Sequence, residues 1–220
     1  MAWDNSASSL QLYLLGPLRL VREGQAITAL RRSKSQALLS YLAVTGSSQR
    51  RSTLAALLWP DYADRQAAMS LRTALSDLRK LVGDQLPVTG QSVSLRREVL
   101  WLDVAQFDAL LKRTGDDEAD ALQLQAAVSL YAGDFLAGFH VQGAPEFEHW
   151  VVSERERLRQ GMLTALLTLA VWYAQQRDLA ASLDQLTRLL AMESASEAGH
   201  RQKMVVLARM GQRSAALFQY

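Results

Sequence analysis

The chain of 220 residues contains no cysteine, which excludes a disulfide framework, a thiolate metal site and a cysteine nucleophile. Histidine is scarce, and His140, His149 and His200 stand at no spacing a metal ion uses, so neither a metal nor any other cofactor is expected. No apolar run is long enough to span a bilayer. The start, MAWDNSASSLQLYLL, has no basic residue ahead of its apolar stretch, as a secretory signal would. A cytoplasmic protein without a membrane partner is therefore expected. GxxxxGK[ST] and the nucleophile elbow are absent, and Gly133–Gly138 lacks a phosphate-cradling pattern, so an enzyme reading has nothing to rest on. Glu154, Arg155, Glu156 and Arg157 alternate in sign along a helix and read as a solvated, salt-bridged face.

What remains is an ordinary globular composition, 49% hydrophobic and 21% charged, in a chain long enough for two modest domains. The charge is unevenly spread. Residues 1–103 carry 13 Lys/Arg against 8 Asp/Glu, and residues 104–220 carry 11 against 14. A basic first half joined to a mildly acidic second half fits a nucleic-acid-binding module followed by a partner-binding one.

The periodicity also changes near that point. After a leader at 1–9 that reads as disordered, Leu10–Leu15, Leu18–Val21 and Gln25–Thr28 read as short strands punctuated by Gly16-Pro17 and Glu23-Gly24. A helix follows from Ser33 to about Gly46, and a shorter one from Ser52, taken as its N-cap, to Trp59, where Pro60 stops it. The third helix, Asp64–Val82, says most about function. At about 100° per residue, Ala67, Leu71, Ala74, Leu78 and Leu81 share one side, while Arg65, Arg72, Ser76 and Arg79 fall within roughly 60° of one another opposite. An apolar face that docks the helix and an arginine stripe that reaches outward suit a major groove; a merely solvated helix is the alternative. Leu86–Thr89, Ser92–Leu95 and Val99–Asp103 then read as strands, the first two forming a hairpin around Gly90-Gln91. Strands, three helices and a terminal hairpin describe an α+β winged helix-turn-helix over 10–103.

Beyond Val104 the pattern is helical: about Val104–Lys112, Ala119–Tyr131, Ala144–Gln175, Leu179–Ala191 and Ser196–Met210, with a further start at Ser214–Tyr220. An offset of 34 residues aligns Tyr173-Ala174 with Leu207-Ala208, Ala181 with Ala215 and Leu183 with Leu217. That is the tetratricopeptide period, so 104–220 reads as an all-α, tetratricopeptide-like domain that offers grooves to protein partners. Because the last apolar turn ends so soon, this domain reads as cut short, the alternative being a last turn docked on its own repeat.

LQLYLLGPLRLV, RRSKSQALLSYLAV, LAALLWPD, SLRTALSDLRKLVG and SVSLRREVLWLDVAQFDALL, followed by LYAGDFLAGF, EFEHWVVSERERLR and GQRSAALFQY, resemble in order and spacing the SARP-type bacterial transcriptional activators. In that family an OmpR-type winged helix precedes a bacterial transcriptional activation domain. The resemblance implies that Asp64–Val82 is the recognition helix, with Arg72, Ser76 and Arg79 on DNA and Thr73 at the edge. Either arginine suits a guanine or a phosphate. Arg65 shares the stripe, and Arg50 and Arg51, with Thr89, Gln91 and Arg96 of the wing, suit backbone contacts. Asp77 departs from the family pattern and should face sideways or tune base preference. By the same resemblance the Trp59–Ala63 loop, through Asp61 and Tyr62, is a candidate contact for RNA polymerase. The expected function is activation of transcription from promoter direct repeats, with a homodimer formed on DNA. Competing readings are an interaction scaffold whose winged helix no longer binds DNA, and an RNA-binding winged helix.

Overall fold

The computed structural model describes residues 10–83, 86–96, 100–112 and 117–219; the expected leader at 1–9, the strand start at Val99 and the terminal Tyr220 lie outside them. The described chain is mostly helical, with a small sheet in its amino-terminal part. It divides into two compact units, one of residues up to 105 together with 133–155, the other of 106–132 and 156–220. The sequence reading drew one boundary after 103. In the structure the 133–155 segment groups instead with the amino-terminal residues, for reasons that lie in its aromatic side chains.

In the first unit, β1 (Leu10–Tyr13), β2 (Arg19–Arg22) and β3 (Gln25–Ala26) form an antiparallel meander. The helices α1 (Ser33–Thr45), α2 (Arg51–Leu58) and α3 (Asp64–Val82) follow. Between α1 and α2 lies a short strand, β4 (Gln49–Arg50), which pairs with β5 (Ser92–Val93), Gln49 opposite Val93. The expected third strand of the terminal hairpin behaves differently. As β6 (Leu100–Leu102) it leaves the hairpin and lies parallel to β1, giving the sheet order β3-β2-β1-β6. The cause is its alternation: Leu100 and Leu102 join Leu10, Leu12 and Leu20 in the core, while Trp101 stacks 5.0 Å from Tyr13 on the other face. Another expectation changes at α2, which begins at Arg51 with Arg50, not Ser52, as its N-cap. No hydroxyl cap is needed there because β4 already fixes the entering chain and the Arg51 N–H bonds to the Gln91 carbonyl at 2.9 Å. At the other end, Trp59 precedes a proline and leaves the helical region, with φ −137° and ψ 55°.

The tripeptide Leu14–Gly16 is the junction of this unit. Asp103, the first residue of α4 (Asp103–Leu111), is 1% exposed, and one carboxylate oxygen accepts the N–H groups of Leu14 and Leu15 at 2.7 and 2.8 Å. The other oxygen accepts the Val104 N–H at 2.8 Å. On the far side, Leu14 O receives the Leu136 N–H and Gly16 N–H donates to Asp134 O. Phe135, anchored here, has its carbonyl held by the Arg155 guanidinium at 3.1 and 3.2 Å. Arg155 thus serves a buried carbonyl and not only a solvated face. Trp150, near the start of α6 (Pro145–Gln175), then stacks edge-on against Phe135 at 5.6 Å and against Tyr41 of α1 at 4.9 Å. This aromatic cluster covers α1 from outside.

The second unit is helical. It contains most of α4 and the later part of α6, with α5 (Glu118–Leu130), α7 (Leu179–Met192), α8 (Glu197–Arg209) and α9 (Arg213–Phe218). The offset of 34 reappears as backbone geometry. Arg177 and Gly211 both take positive φ, 64° and 78°. Asp178 N–H bonds to Tyr173 O and Gln212 N–H to Leu207 O, each at 2.9 Å, and the Arg177–Ala174 and Gly211–Ala208 bonds repeat likewise. These are two copies of one helix-ending turn. Ala170, Ala174, Leu186 and Val206 form the core beside them, and the fully buried Ser182 donates to the Ala170 carbonyl at 2.7 Å.

Burial raises the Asp103 carboxyl to about 6, against the lowering pull of the Leu15, Leu14 and Val104 N–H groups and of Arg19. The folded chain therefore holds a proton between 3.8 and about 6 that the unfolded chain has released, and stability falls as pH rises through that window. In urea titrations from pH 4 to 7, the unfolding free energy of the wild type should fall by up to about 3 kcal/mol relative to that of Asp103→Asn, which is weaker at its baseline but lacks this proton linkage.

Candidate nucleic-acid interface

Helix α3 occupies the bounds expected of it, and its faces divide as its sequence demands. Ala67, Leu71, Ala74, Leu75, Leu78, Leu81 and Val82 are buried, which at roughly 1.5–3 kcal/mol for each fully buried large side chain fixes the helix firmly on its unit. Arg65, Arg72, Thr73, Ser76 and Arg79 are all exposed. At the carboxyl end the Arg22 guanidinium of β2 donates to the Leu81 carbonyl, a cation placed where the helix dipole favours one. Gly83 closes the helix with φ 58° and its N–H on the Arg79 carbonyl.

One line of residues along α3, spaced i, i+4, i+7 and i+11, runs Arg65, Met69, Arg72, Ser76. Met69 is missing from the arginine stripe read off the sequence, although the same 100° arithmetic places it about 40° from Arg65. It is 62% exposed. Thr73, beside the stripe, donates its hydroxyl to the Met69 carbonyl at 3.2 Å, which leaves its methyl group and the acceptor side of its oxygen for an outside partner.

Asp77 stands apart from that line. It is half-buried and accepts from Ser35 Oγ at 3.3 Å and from Arg32 at 3.5 Å. Its charge is turned toward the start of α1 and serves to tie α1 to α3. Of the two alternatives the sequence left for Asp77, facing sideways or tuning base preference, its contacts fit the first, and its partners lie more than forty positions away.

The other predicted contacts cluster less tightly. Arg50 is exposed on β4, and Arg51 is half-buried at the start of α2. Thr89 and Gln91 are exposed in the turn before β5, yet the Thr89 hydroxyl is occupied within it, accepting the Ser92 N–H at 2.9 Å. Val88 bridges to Val93, closing the turn, and Arg96 is exposed just beyond. In the Trp59–Ala63 loop, Asp61 and Tyr62 are exposed. The Lys34 ammonium of α1 lies 5.4 Å from the Trp59 ring centre and 5.7 Å from that of Tyr62. Burial pulls the Lys34 ammonium below the usual lysine range, with Asp61 acting in the opposite sense. Lys34 and its neighbours Arg31 and Arg32 line a cleft of about 600 Å³ that Ser70 and Thr73 of α3 also border. These cations form no stripe, since Arg31 and Arg32 precede α1 and Lys34 lies in its first turn, and so they gave no periodic signal in the sequence.

Among the described residues no cluster of His, Asp or Glu could hold a metal ion, and no helix is long and apolar enough to cross a membrane.

Three likenesses give this arrangement its class. Residues 102–220 match the family model of the bacterial transcriptional activator domain. The chain is 26% identical over 222 residues to the regulatory protein AfsR of Streptomyces griseus, and 27% identical over 228 residues to AfsR of Streptomyces coelicolor. These alignments cover 98% and 100% of the chain but 22% of each relative, so the chain spans about a fifth of their length. Among solved structures, Mycobacterium tuberculosis EmbR in complex with a low affinity phosphopeptide superposes with a TM-score of 0.75 over 96% of this chain and 58% of that one, at 20% identity, a likeness of fold. It fits a winged-helix plus helical-domain arrangement. The chain belongs to the bacterial transcriptional activator domain family and is similar in sequence to the SARP-type regulatory proteins.

Asp77→Ala should lower the unfolding free energy by about 1 kcal/mol in urea titrations, the worth of one part-buried hydrogen bond with a weak ion pair. Arg32→Ala, which removes only the more exposed partner, should cost less.

Proposed function

We propose that the chain activates transcription by binding promoter DNA through α3, with the 88–93 hairpin as the wing, and by contacting RNA polymerase or partner proteins through the Trp59–Ala63 loop and the helical unit. The observation that carries this reading is the outward line of α3: several exposed cations on a helix whose opposite face is largely buried, with Asp77, the acid in the body of the helix, turned away into an intramolecular pair and Asp64 confined to its first turn. A helix about 10–12 Å across fits a B-form major groove, where arginine pairs bidentately with guanine or clamps a phosphate. Arg50, Arg51, Gln91 and Arg96 would make sequence-independent phosphate contacts, which set orientation and salt dependence. A single such helix reads only a short half-site, so specificity calls for two copies side by side on direct repeats. The interaction-scaffold reading draws on the paired helices α6–α7 and α8–α9 and needs none of these cations.

Selection of bound duplexes from a randomised library at about 0.15 M salt separates the two. The DNA-binding reading predicts an enriched repeated motif, with affinity for it reduced about ten- to a hundredfold by Arg72→Ala and again by Arg79→Ala where either reads a base. Absence of enrichment from a folded sample would favour the scaffold. With a selected promoter in hand, Asp61→Ala and Tyr62→Ala should lower the yield of transcript in a reconstituted reaction while leaving DNA affinity within about twofold, since neither lies on α3. A matched loss of DNA affinity would remove that loop from the polymerase interface.

A further inference from the structure

We propose that Met69 reads the C5-methyl group of a thymine in the major groove, making α3 selective for an A·T pair between the positions served by Arg65 and Arg72. The inference rests on the DNA-binding reading above and names part of what that site recognises.

At 62% exposure Met69 is more open than any other large apolar side chain described in the first unit; Val152 is 60% and Tyr62 43% exposed. A single exposed apolar residue is ordinary on a protein surface. Its placement gives this one meaning. It occupies the i+4 position of the line Arg65, Met69, Arg72, Ser76, flanked by cations on both sides along the helix axis. The buried face of α3 lies opposite, so Met69 contributes nothing to docking the helix. A methionine side chain offers a thioether and a methyl group, a feeble match for phosphates or for the donors and acceptors of base edges. The one apolar group that the major groove presents is the thymine methyl. An unbranched, adaptable side chain can follow it through small differences in docking. Thr73 extends the same chemistry: with its hydroxyl hydrogen committed to the Met69 carbonyl, its own methyl borders the same outward line.

The test uses the duplex selected by the 220-residue chain, remade with deoxyuridine in place of thymine at one position at a time, which removes only the methyl group. Binding is measured by fluorescence anisotropy for the wild type and for Met69→Ala, whose exposed, helix-favouring substitution should leave the thermal melting curve unchanged. At one position in each half-site, uracil should weaken wild-type binding about fourfold, the worth of one buried methyl-sized group. Met69→Ala should bind the thymine duplex more weakly by a similar factor and show no further loss with uracil there. If uracil costs both proteins equally, or neither, while Arg72→Ala still weakens specific binding about tenfold or more, the DNA-binding reading stands and Met69 is a plain surface methionine. If no duplex is selected at all, the two readings fall together.

Discussion

Asp103 carries a carboxylate into a site with almost no access to water, and what compensates it is the backbone of a strand end far away in sequence. Leu14 and Leu15 are themselves buried and, at the end of β1, have no neighbouring strand to accept their N–H groups. An unpaired buried N–H costs of the order of 1–3 kcal/mol, so two such groups and one buried carboxylate would each be destabilising alone. Together they offset one another in part, burial still holding the Asp103 carboxyl up at about 6, and the geometry this imposes is specific. The carboxylate must stand where β6 ends and α4 begins, which aligns β6 beside β1 and sends α4 off at a fixed point. With Leu14–Gly16 so held, its carbonyl groups face the 134–137 segment and receive the Leu136 and Ala137 N–H groups.

The consequence extends to α3 through aromatic contacts. Phe135 follows the segment into place, Trp150 stacks on it, and Tyr41 of α1 stacks on Trp150. Helix α1 is thereby covered on one side by residues that belong, by sequence match, to the activator domain, and on the other it meets α3 through Ser35 and Asp77. The amino-terminal fold is therefore completed by chain from beyond its apparent end. That explains why the boundary drawn from periodicity, after 103, does not coincide with the compact units: periodicity registers where strands give way to helices, whereas the units follow buried contacts formed across a hundred positions or more.

Local physics was nonetheless highly legible. The bounds of α3, its buried face and its exposed arginines follow from the 3.6-residue period alone, because a strongly amphipathic helix needs no distant partner to declare its faces. The 34-residue offset between Tyr173-Ala174 and Leu207-Ala208 was equally visible, and the matching positive φ values at Arg177 and Gly211 give it a structural basis. What escaped notice depends on pairing at a distance: the two-residue strand β4, the parallel partner of β6, the acceptor role of Asp103 and the hold of Arg155 on Phe135. A lone Asp after Leu-Trp-Leu looks like any strand end. Met69 differs from these, since the helical arithmetic alone places it on the stripe, where it carries no charge to mark it.

The arginines of α3 do not all bear equally on a nucleic-acid interface, because the helix itself favours some of them. Arg79 and Lys80 lie in the last turn, where a cation gains about 0.3–1 kcal/mol from the helix dipole, so their presence has a sufficient local cause. Arg65 lies in the first turn, where the dipole opposes a cation, with only Asp64 as an acid in that turn and no side-chain cap at Ala63. Arg72 is mid-helix, where the dipole is nearly indifferent. Two cations that helix energetics do not call for, on the line that also exposes Met69, are thus the residues whose placement the fold leaves unexplained. On the DNA-binding proposal, a polyanion docked along that line would add to what water already supplies these cations, most strongly at Arg65, where the helix N-terminus and the guanidinium would attract the same phosphate.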